Sequence, residues 1–355
     1  MRIGVDITPL SDQLTGVGNC VYYWLKELIP LRRDDEFFLY TFSPSRYLDQ
    51  LHCFSNVTVR HGKAFSFSES IWGQTTLPFL ARKDRLHLFF GPNQSIPFNI
   101  GRRVKRIIFI HDFTYRLYPK TVPRYRGIYN RLLGKWLYKK ANAILTNSFG
   151  TMERLETLYH IKGTAVLPCP LKESVHPLPN KEIDAVLNEF SLTREKYVLM
   201  VGTVEPRKNI SQTIEAYPPA SLPLVVVGKK GWRMKEEPKA RFLGFQPDEK
   251  VNALVCGAAY YLMPSLYEGF GMPLKEARSV GTPVICSDVP EMKEASEGDA
   301  KFIRLSHLKE DLEKCLHSPR IPPKKATYLD NKALARILSA QIDALVPPLL
   351  SEGSR

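Results

Sequence analysis

Two glutamates, Glu268 and Glu276, lie in the run Pro264-Ser265-Leu266-Tyr267-Glu268-Gly269-Phe270-Gly271-Met272-Pro273-Leu274-Lys275-Glu276-Ala277. The run reads as a strand end, a glycine-rich turn and a helix start. Gly269 and Gly271 let backbone N–H groups approach a ligand closely, and Pro273 suits a first helical turn. The new helix N-terminus offers N–H groups and a positive dipole end to an anion. Carboxylates so placed can accept hydrogen bonds from hydroxyl-rich ligands such as sugars; an ordinary capped helix with exposed acids is the plainer alternative. Further on the same theme, Gly202-Thr203-Val204-Glu205-Pro206-Arg207-Lys208-Asn209 puts two adjacent cations just after a strand, where they could hold a diphosphate. Thr15-Gly16-Val17-Gly18-Asn19 is half of a dinucleotide fingerprint, with Val21 where the third glycine would stand. His111-Asp112 ends another strand-like run, as a polar ligand to a hydroxyl or as a satisfied turn residue. There is no Asp-x-Asp, the usual metal–diphosphate pair, and no P-loop, HExxH or GxSxG.

These residues need elements to position them. Strand-like runs at Arg2–Ile7, Phe37–Phe42, Leu86–Phe90, Arg106–Ile110, Ala143–Thr146 and Thr164–Leu167 alternate with helical patterns, among them Gly18–Pro30 and Arg124–Lys140. A second series follows through Tyr197–Gly202, Pro223–Val227, Ala240–Leu243, Ala258–Met263 and Thr282–Cys286, closing with a helical pattern over Lys325–Leu345. This is the βαβ signature of parallel sheets covered on both faces. The expected division is an N-terminal Rossmann-like domain over 1–170, a proline-rich linker over 171–190, a C-terminal Rossmann-like domain over 191–324, and a last helix and tail over 325–355. Two such domains in series leave a cleft at the carboxyl ends of their strands, where ligands bind.

At 355 residues the chain fits two domains. Its 44% hydrophobic and 24% charged residues suit a globular protein and exclude wholesale disorder. No apolar run approaches the roughly 20 residues needed to cross a bilayer. The N-terminus lacks a signal-peptide pattern, which points to the cytoplasm. Six scattered cysteines without a CxxC argue for reduced thiols and against a disulfide framework or a zinc site. The net charge of +14 is local: residues 101–140 hold 12 Lys or Arg and one acid, Asp112. Within that segment Tyr125, Tyr129, Leu132, Leu133, Trp136 and Leu137 recur at helical spacing. That pattern fits a basic helix on an anionic membrane face, or a surface helix whose aromatic stripe is core.

Taken together, the motifs "VGTVEPRKN", "VVVGKKGW", "RFLGF", "PSLYEGFGMPLKEARSVGTPVICSDVPE" and "EGDA", in this order over 197–300, resemble retaining glycosyltransferases of the GT-B fold, in glycosyltransferase family four. The N-terminal half matches more loosely, through "TGVG" at 15–18 and "HDFTYRLYP" at 111–119. The resemblance implies two Rossmann-like doubly wound parallel-sheet domains facing across a cleft. It implies that Gly16 and Gly18 line the diphosphate and donor sugar and that His111 contacts the donor sugar. Arg207 and Lys208 would neutralise the diphosphate, and Glu268 would hold hydroxyls of the transferred sugar. Gly269, Phe270 and Gly271 would offer backbone N–H groups, Glu276 would bind ribose hydroxyls, and Phe245 would sit near the base. One departure is Thr203, where many relatives carry arginine.

The "VGKKGW" run resembles a subgroup that makes bacterial surface polysaccharide such as lipopolysaccharide, often from GDP-mannose. The implied activity is a metal-independent hexosyl transfer, with retention, from a nucleotide diphosphate sugar to a hydroxyl of a lipid-linked glycan, with no cofactor. The partners are the donor, that acceptor and an anionic membrane surface met through 101–140, with no nucleic acid. The protein would be cytoplasmic, peripheral on the inner face of the cell membrane. A sugar-nucleotide epimerase or a UDP-sugar-using transferase on the same fold is the first alternative, and a non-catalytic anion- or nucleic-acid-binding protein the more distant one.

Overall fold

The computed structural model describes residues 1–12, 14–62, 69–119, 133–202, 205–228 and 239–347. These divide into two compact units, one of residues 1–111, 133–171 and 329–347, the other of 112–119 and the described part of 172–328.

The first unit is built on seven parallel strands: β1 (Arg2–Asp6), β2 (Glu36–Thr41), β3 (Val57–His61), β4 (Leu88–Gly91), β5 (Lys105–Ile110), β6 (Ala143–Thr146) and β7 (Ala165–Val166). Their order is β3-β2-β1-β4-β5-β6-β7, so the winding direction reverses between β1 and β4. The central strands are buried on both faces, as parallel sheets demand: Ile3 pairs in register with Phe37 on one side and Leu88 on the other, all fully buried. After β1 comes the helix Gly16–Leu31, whose N-cap Thr15 accepts the Gly18 N–H through its hydroxyl at 3.4 Å.

The second unit repeats the plan with six parallel strands: β8 (Val198–Val201), β9 (Leu224–Val227), β10 (Ala240–Gly244), β11 (Tyr260–Met263), β12 (Val284–Ser287) and β13 (Lys301–Ile303), in the order β10-β9-β8-β11-β12-β13. Strand pleating sends alternate residues to opposite faces. Leu199, Val225, Tyr261 and Cys286 join one buried cluster, while Val198, Met200, Val226, Leu262 and Ile285 join the other. Here the winding reverses between β8 and β11, and ligands of open α/β sheets gather at the carboxyl ends of such strands.

Four sequence expectations need correction. The segment 112–119 belongs to the second unit, because Tyr267 Oη accepts the Phe113 N–H at 2.9 Å and Tyr118 stacks on Tyr267 at 5.9 Å. The expected linker over 171–190 contains the helix Asn180–Glu189, whose Ile183 and Leu187, one turn apart, enter the second core. The prolines before it drew attention away from that spacing. The last helix starts at Asn331, not Lys325, where the Asp330 carboxylate caps the Ala333 N–H at 2.7 Å. Two strands were not expected at all, β3 and β13: both are edge strands, β3 short and polar at alternate positions and β13 of only three residues. Of the helical pattern Arg124–Lys140, residues 120–132 lie outside the described residues; 133–140 are helical, with Leu137 and Tyr138 buried and Trp136 40% exposed.

The helix Asn331–Leu345 packs on Gly16–Leu31 through Leu334, Leu338 and Ile342, all fully buried. Arg32 clasps the two: its guanidinium reaches Ser339 Oγ at 2.7 Å, Asp343 at 2.9 Å and Asp35 at 2.6 Å. Leu338→Ala is expected to cost about 2–5 kcal/mol in a urea unfolding titration, whereas Lys332→Ala, on the exposed side of the same helix, shifts it by less than about 0.5 kcal/mol.

Candidate active site

The loops after β8 and β11 converge at the reversal point of the second sheet. Pro206–Lys208 forms one turn of 3-10 helix directly after β8, ended by Asn209 in the left-handed region at φ 57°. From it Lys208 Nζ reaches Glu268 Oε1 at 2.6 Å, and Arg207 Nη1 reaches Glu268 Oε2 at 2.6 Å. Arg207 also donates to Tyr267 O at 3.0 Å and pairs with Glu205 at 2.6 Å. The Leu266 N–H donates to Arg207 O at 2.8 Å and fastens the two loops through the backbone. Gly202, at φ 147°, brings the end of β8 against the Lys208 stem, which a Cβ would meet at 3.5 Å.

Glu268 is buried. Burial alone would raise its pKa, but the attraction of Lys208 and then Arg207 outweighs it, and the carboxyl titrates below the ordinary range. Glu268, then Glu205 and more weakly Asp112, hold Arg207 charged against its own desolvation.

Beyond Glu268 the chain turns into the helix Met272–Ser279. Its N-cap is Gly271, at φ 95°, where a Cβ would lie 3.2 Å from Met292 Sδ. The N–H groups of Phe270 and Gly271 take no partner from the described residues, so the turn presents two donors beside a helix N-terminus. The Phe270 ring itself is in the core, and only its backbone can serve the site. One turn into the helix, Glu276 lines a groove with Lys172, Asp248 and Asn252. Lys172 sits 3.1 Å from Asp248 and 4.0 Å from Glu276. Burial raises the Glu276 pKa, Asp248 adds to the rise, and Lys172 only partly offsets it. Phe245 follows the end of β10 and is 61% exposed.

In the first unit, the structure separates the two glycines of "TGVG". A Cβ on Gly16 would meet nothing within 4 Å, whereas on Gly18 it would lie 2.6 Å from the Pro9 carbonyl. Gly18 is therefore a packing glycine whose N–H is already given to Thr15. His111 follows β5 and is buried; its Nε2 lies 2.7 Å from Pro92 O, which as an acceptor fixes Nε2 as the protonated nitrogen. Its ring packs on Phe109 at 4.6 Å and stacks with Trp24 at 6.5 Å. The second unit thus gathers Arg207, Lys208, Glu268 and the 269–271 turn, while Gly16, Gly18 and His111 belong to the first. Thr203 and the lysines of "VGKKGW" lie outside the described residues.

Residues 188–336 match the family model described as glycosyl transferases group 1. The chain carries a group 1 glycosyltransferase domain. The chain is 28% identical to O-antigen chain mannosyltransferase B of Escherichia coli over 337 residues, 85% of this chain and 86% of the relative. An O-antigen chain mannosyltransferase of Salmonella typhimurium is 26% identical over 210 residues, 55% of this chain and 56% of that one. Among solved structures, HepE from Anabaena in complex with UDP and glucose superposes with a TM-score of 0.69 at 16% identity, over 97% of this chain and all of that one. Structural neighbours of this kind are GT-B glycosyltransferases, and the two parallel-sheet units have that fold.

Sequence reasoning missed several side chains of the glycosyltransferase. Lys275 is almost fully buried, its Nζ 5.0 Å from the Tyr328 ring and 5.9 Å from Phe270. Arg278, also buried, binds Glu297 at 2.9 Å and Asp299, so "EGDA" anchors the far end of the Met272–Ser279 helix. Asn209 Nδ2 and Ser265 Oγ are buried without a partner among the described residues, at the ends of the two loops that meet at Glu268. Only their neighbourhood to the motifs could have drawn attention to them.

Two titrations test the electrostatics. The lowered pKa of Glu268 means its stabilisation is fully present above the unfolded value of about 4.3 and is lost as pH falls through the folded value. Glu268→Gln is therefore expected to lower the urea midpoint at neutral pH, with the gap to wild type closing in acid. Glu276 has the opposite sign: the cost of its ionised form sets in as pH rises from the unfolded value through the raised folded one. Glu276→Gln should raise the neutral-pH melting temperature of the ligand-free protein and leave it unchanged in acid.

Proposed function

We propose that the protein transfers a hexose, mannose from GDP-mannose, to a hydroxyl of a lipid-linked glycan in the synthesis of a surface polysaccharide, with retention of configuration and without a metal. The observation that carries this reading is the pairing of Lys208 and Arg207 with Glu268 at the reversal point of the second sheet, inside the matched domain. The O-antigen mannosyltransferase relatives support the sugar, and a Campylobacter jejuni relative, 26% identical over 189 residues, whose name includes a diphospho-undecaprenol acceptor supports the lipid-linked acceptor.

The leaving group is a diphosphate whose negative charge grows as the anomeric C–O bond breaks. Cations already fixed at that charge favour the transition state over the ground state. In the ligand-free protein the carboxylate of Glu268 occupies both cations. An arriving diphosphate takes Lys208 and Arg207, and Glu268 is then released to accept hydrogen bonds from hydroxyls of the donor sugar. The Phe270 and Gly271 N–H groups add two neutral donors. Glu276 accepts from the ribose hydroxyls, which satisfies a carboxylate whose burial is otherwise costly, and Phe245 offers a face to the base. In the first unit, open space at Gly16 admits the diphosphate and sugar, and His111 acts on the donor sugar through Nδ1.

The acceptor side falls to the first unit, where the charge excess lies. Arg102, Arg103, Lys105, Lys135, Lys139 and Lys140 are exposed, and so in part are Phe98 and Trp136, whose rings meet at 4.9 Å. Bases around aromatic side chains suit an anionic bilayer surface. Among the described residues no helix is long and apolar enough to cross a membrane, so peripheral attachment on the cytoplasmic face fits the reading.

A thermal-shift screen across nucleotide sugars is expected to single out GDP-mannose, with a gain of about 2.7 kcal/mol at a hundred times its dissociation constant. A shift with UDP-sugars alone would overturn the donor. Lys208→Ala should lower kcat about 100- to 1000-fold, read as GDP release in the presence of acceptor, while EDTA leaves turnover unchanged. Binding to anionic vesicles should weaken with salt and with the triple change Lys135→Glu, Lys139→Glu, Lys140→Glu.

A further inference from the structure

Cys20, His111 and Cys169, scattered over the sequence, come together inside the first unit. One sulfur from each cysteine and one ring nitrogen all lie within 4.8 Å of one another, and all three residues are buried. Topology does this. Cys20 stands on the helix that follows β1, His111 ends β5, and Cys169 follows β7. We propose that these three side chains form a binding site for a thiophilic metal ion, with zinc(II) as the ion that the chemistry and the probe below share.

Four features carry the assignment. The donor set is two sulfurs and one imidazole, which selects zinc or copper(I) over magnesium or calcium. The Nε2–H of His111 is aimed at the Pro92 carbonyl at 2.7 Å, which leaves Nδ1 as the lone-pair nitrogen. A backbone carbonyl on the far nitrogen is how metal-binding histidines are commonly held and oriented. The shell is apolar: Trp24, one helical turn after Cys20, stacks on the imidazole, and Phe109 packs against it. Finally, the span is close to what is needed. Zinc–sulfur bonds of about 2.3 Å and zinc–nitrogen bonds of about 2.0 Å require the donor atoms to close by only ~1 Å, within the reach of small cysteine χ1 changes. Binding deprotonates both thiols and releases two protons to solvent, with the fourth tetrahedral position left to water or substrate.

None of the three ligands is Lys208, Arg207 or Glu268, and metal binding does not depend on the proposed reaction. A consequence does rest on that reading: an ion on Nδ1 removes His111 from the donor sugar, so zinc inhibits the transferase reversibly.

Cobalt(II), a spectroscopic stand-in for zinc, tests the assignment on the whole chain after chelator and reductant treatment. One equivalent is expected to give the near-ultraviolet thiolate-to-cobalt charge-transfer band of a two-thiolate site. The band should be displaced by zinc, lost in Cys20→Ser and in Cys169→Ser, and kept in Cys53→Ser, which alters the exposed thiol. No band in the wild-type protein, or a band that survives both Cys20→Ser and Cys169→Ser, overturns the proposal. If either serine variant fails to fold, the alanine variant at that position replaces it, and the wild-type band intensity at one equivalent decides the number of thiolates. Zinc binding without loss of GDP release would refute only the role given to His111.

Discussion

A carboxylate shared by two cations organises the second unit. Glu268 is buried, and the partly exposed Lys208 and Arg207 each reach it at 2.6 Å. A lone carboxylate in that position would be neutralised; the two cations keep Glu268 ionised, and the nearby carboxylates keep Arg207 charged. Their geometry also joins two loops that are far apart in sequence, since Arg207 bonds the Tyr267 carbonyl and receives the Leu266 N–H on its own. Tyr267 in turn accepts the backbone of 112–118 and stacks with Tyr118. The position of the glycine-rich turn, and of the helix N-terminus behind it, follows from this clasp. In the ligand-free protein both cations are held in place by their bonds to Glu268.

Much of this was legible in the amino-acid order. The βα alternation gives both sheets, because buried parallel strands read as short apolar runs such as Leu224–Val227 and Tyr260–Met263. The meeting of Arg207 and Lys208 with Glu268 was legible because each follows a strand at its carboxyl end. What escaped was set by tertiary context. Ile183 and Leu187 are two apolar residues one turn apart, too weak a pattern to outweigh the prolines before them. Residues 112–119 follow a first-unit strand, and tertiary contacts through Tyr267 and the Leu266 carbonyl tie them to the second unit. Cys20 and Cys169 meet because the sheet order brings their elements together, which no spacing along the chain reveals.

The motifs themselves divide into chemistry and carpentry. Gly16 leaves open space and Gly18 fills a packing constraint against Pro9. Phe270 lends its backbone to the turn and its ring to the core. Glu297 and Asp299 serve Arg278, which is buried and would otherwise be an uncompensated charge. A match to a family pattern therefore mixes residues that meet ligand with residues that hold those in place, and the contacts of each side chain tell them apart.

The clasp of Arg32 on Ser339 and Asp343 gives the chain an unusual order of assembly. The first unit lacks one of its covering helices until residues 331–345, which follow the whole of the second unit along the chain, have been made. Until then the apolar side of Gly16–Leu31 that meets Leu334, Leu338 and Ile342 is bare, so the second unit can complete its core before the first.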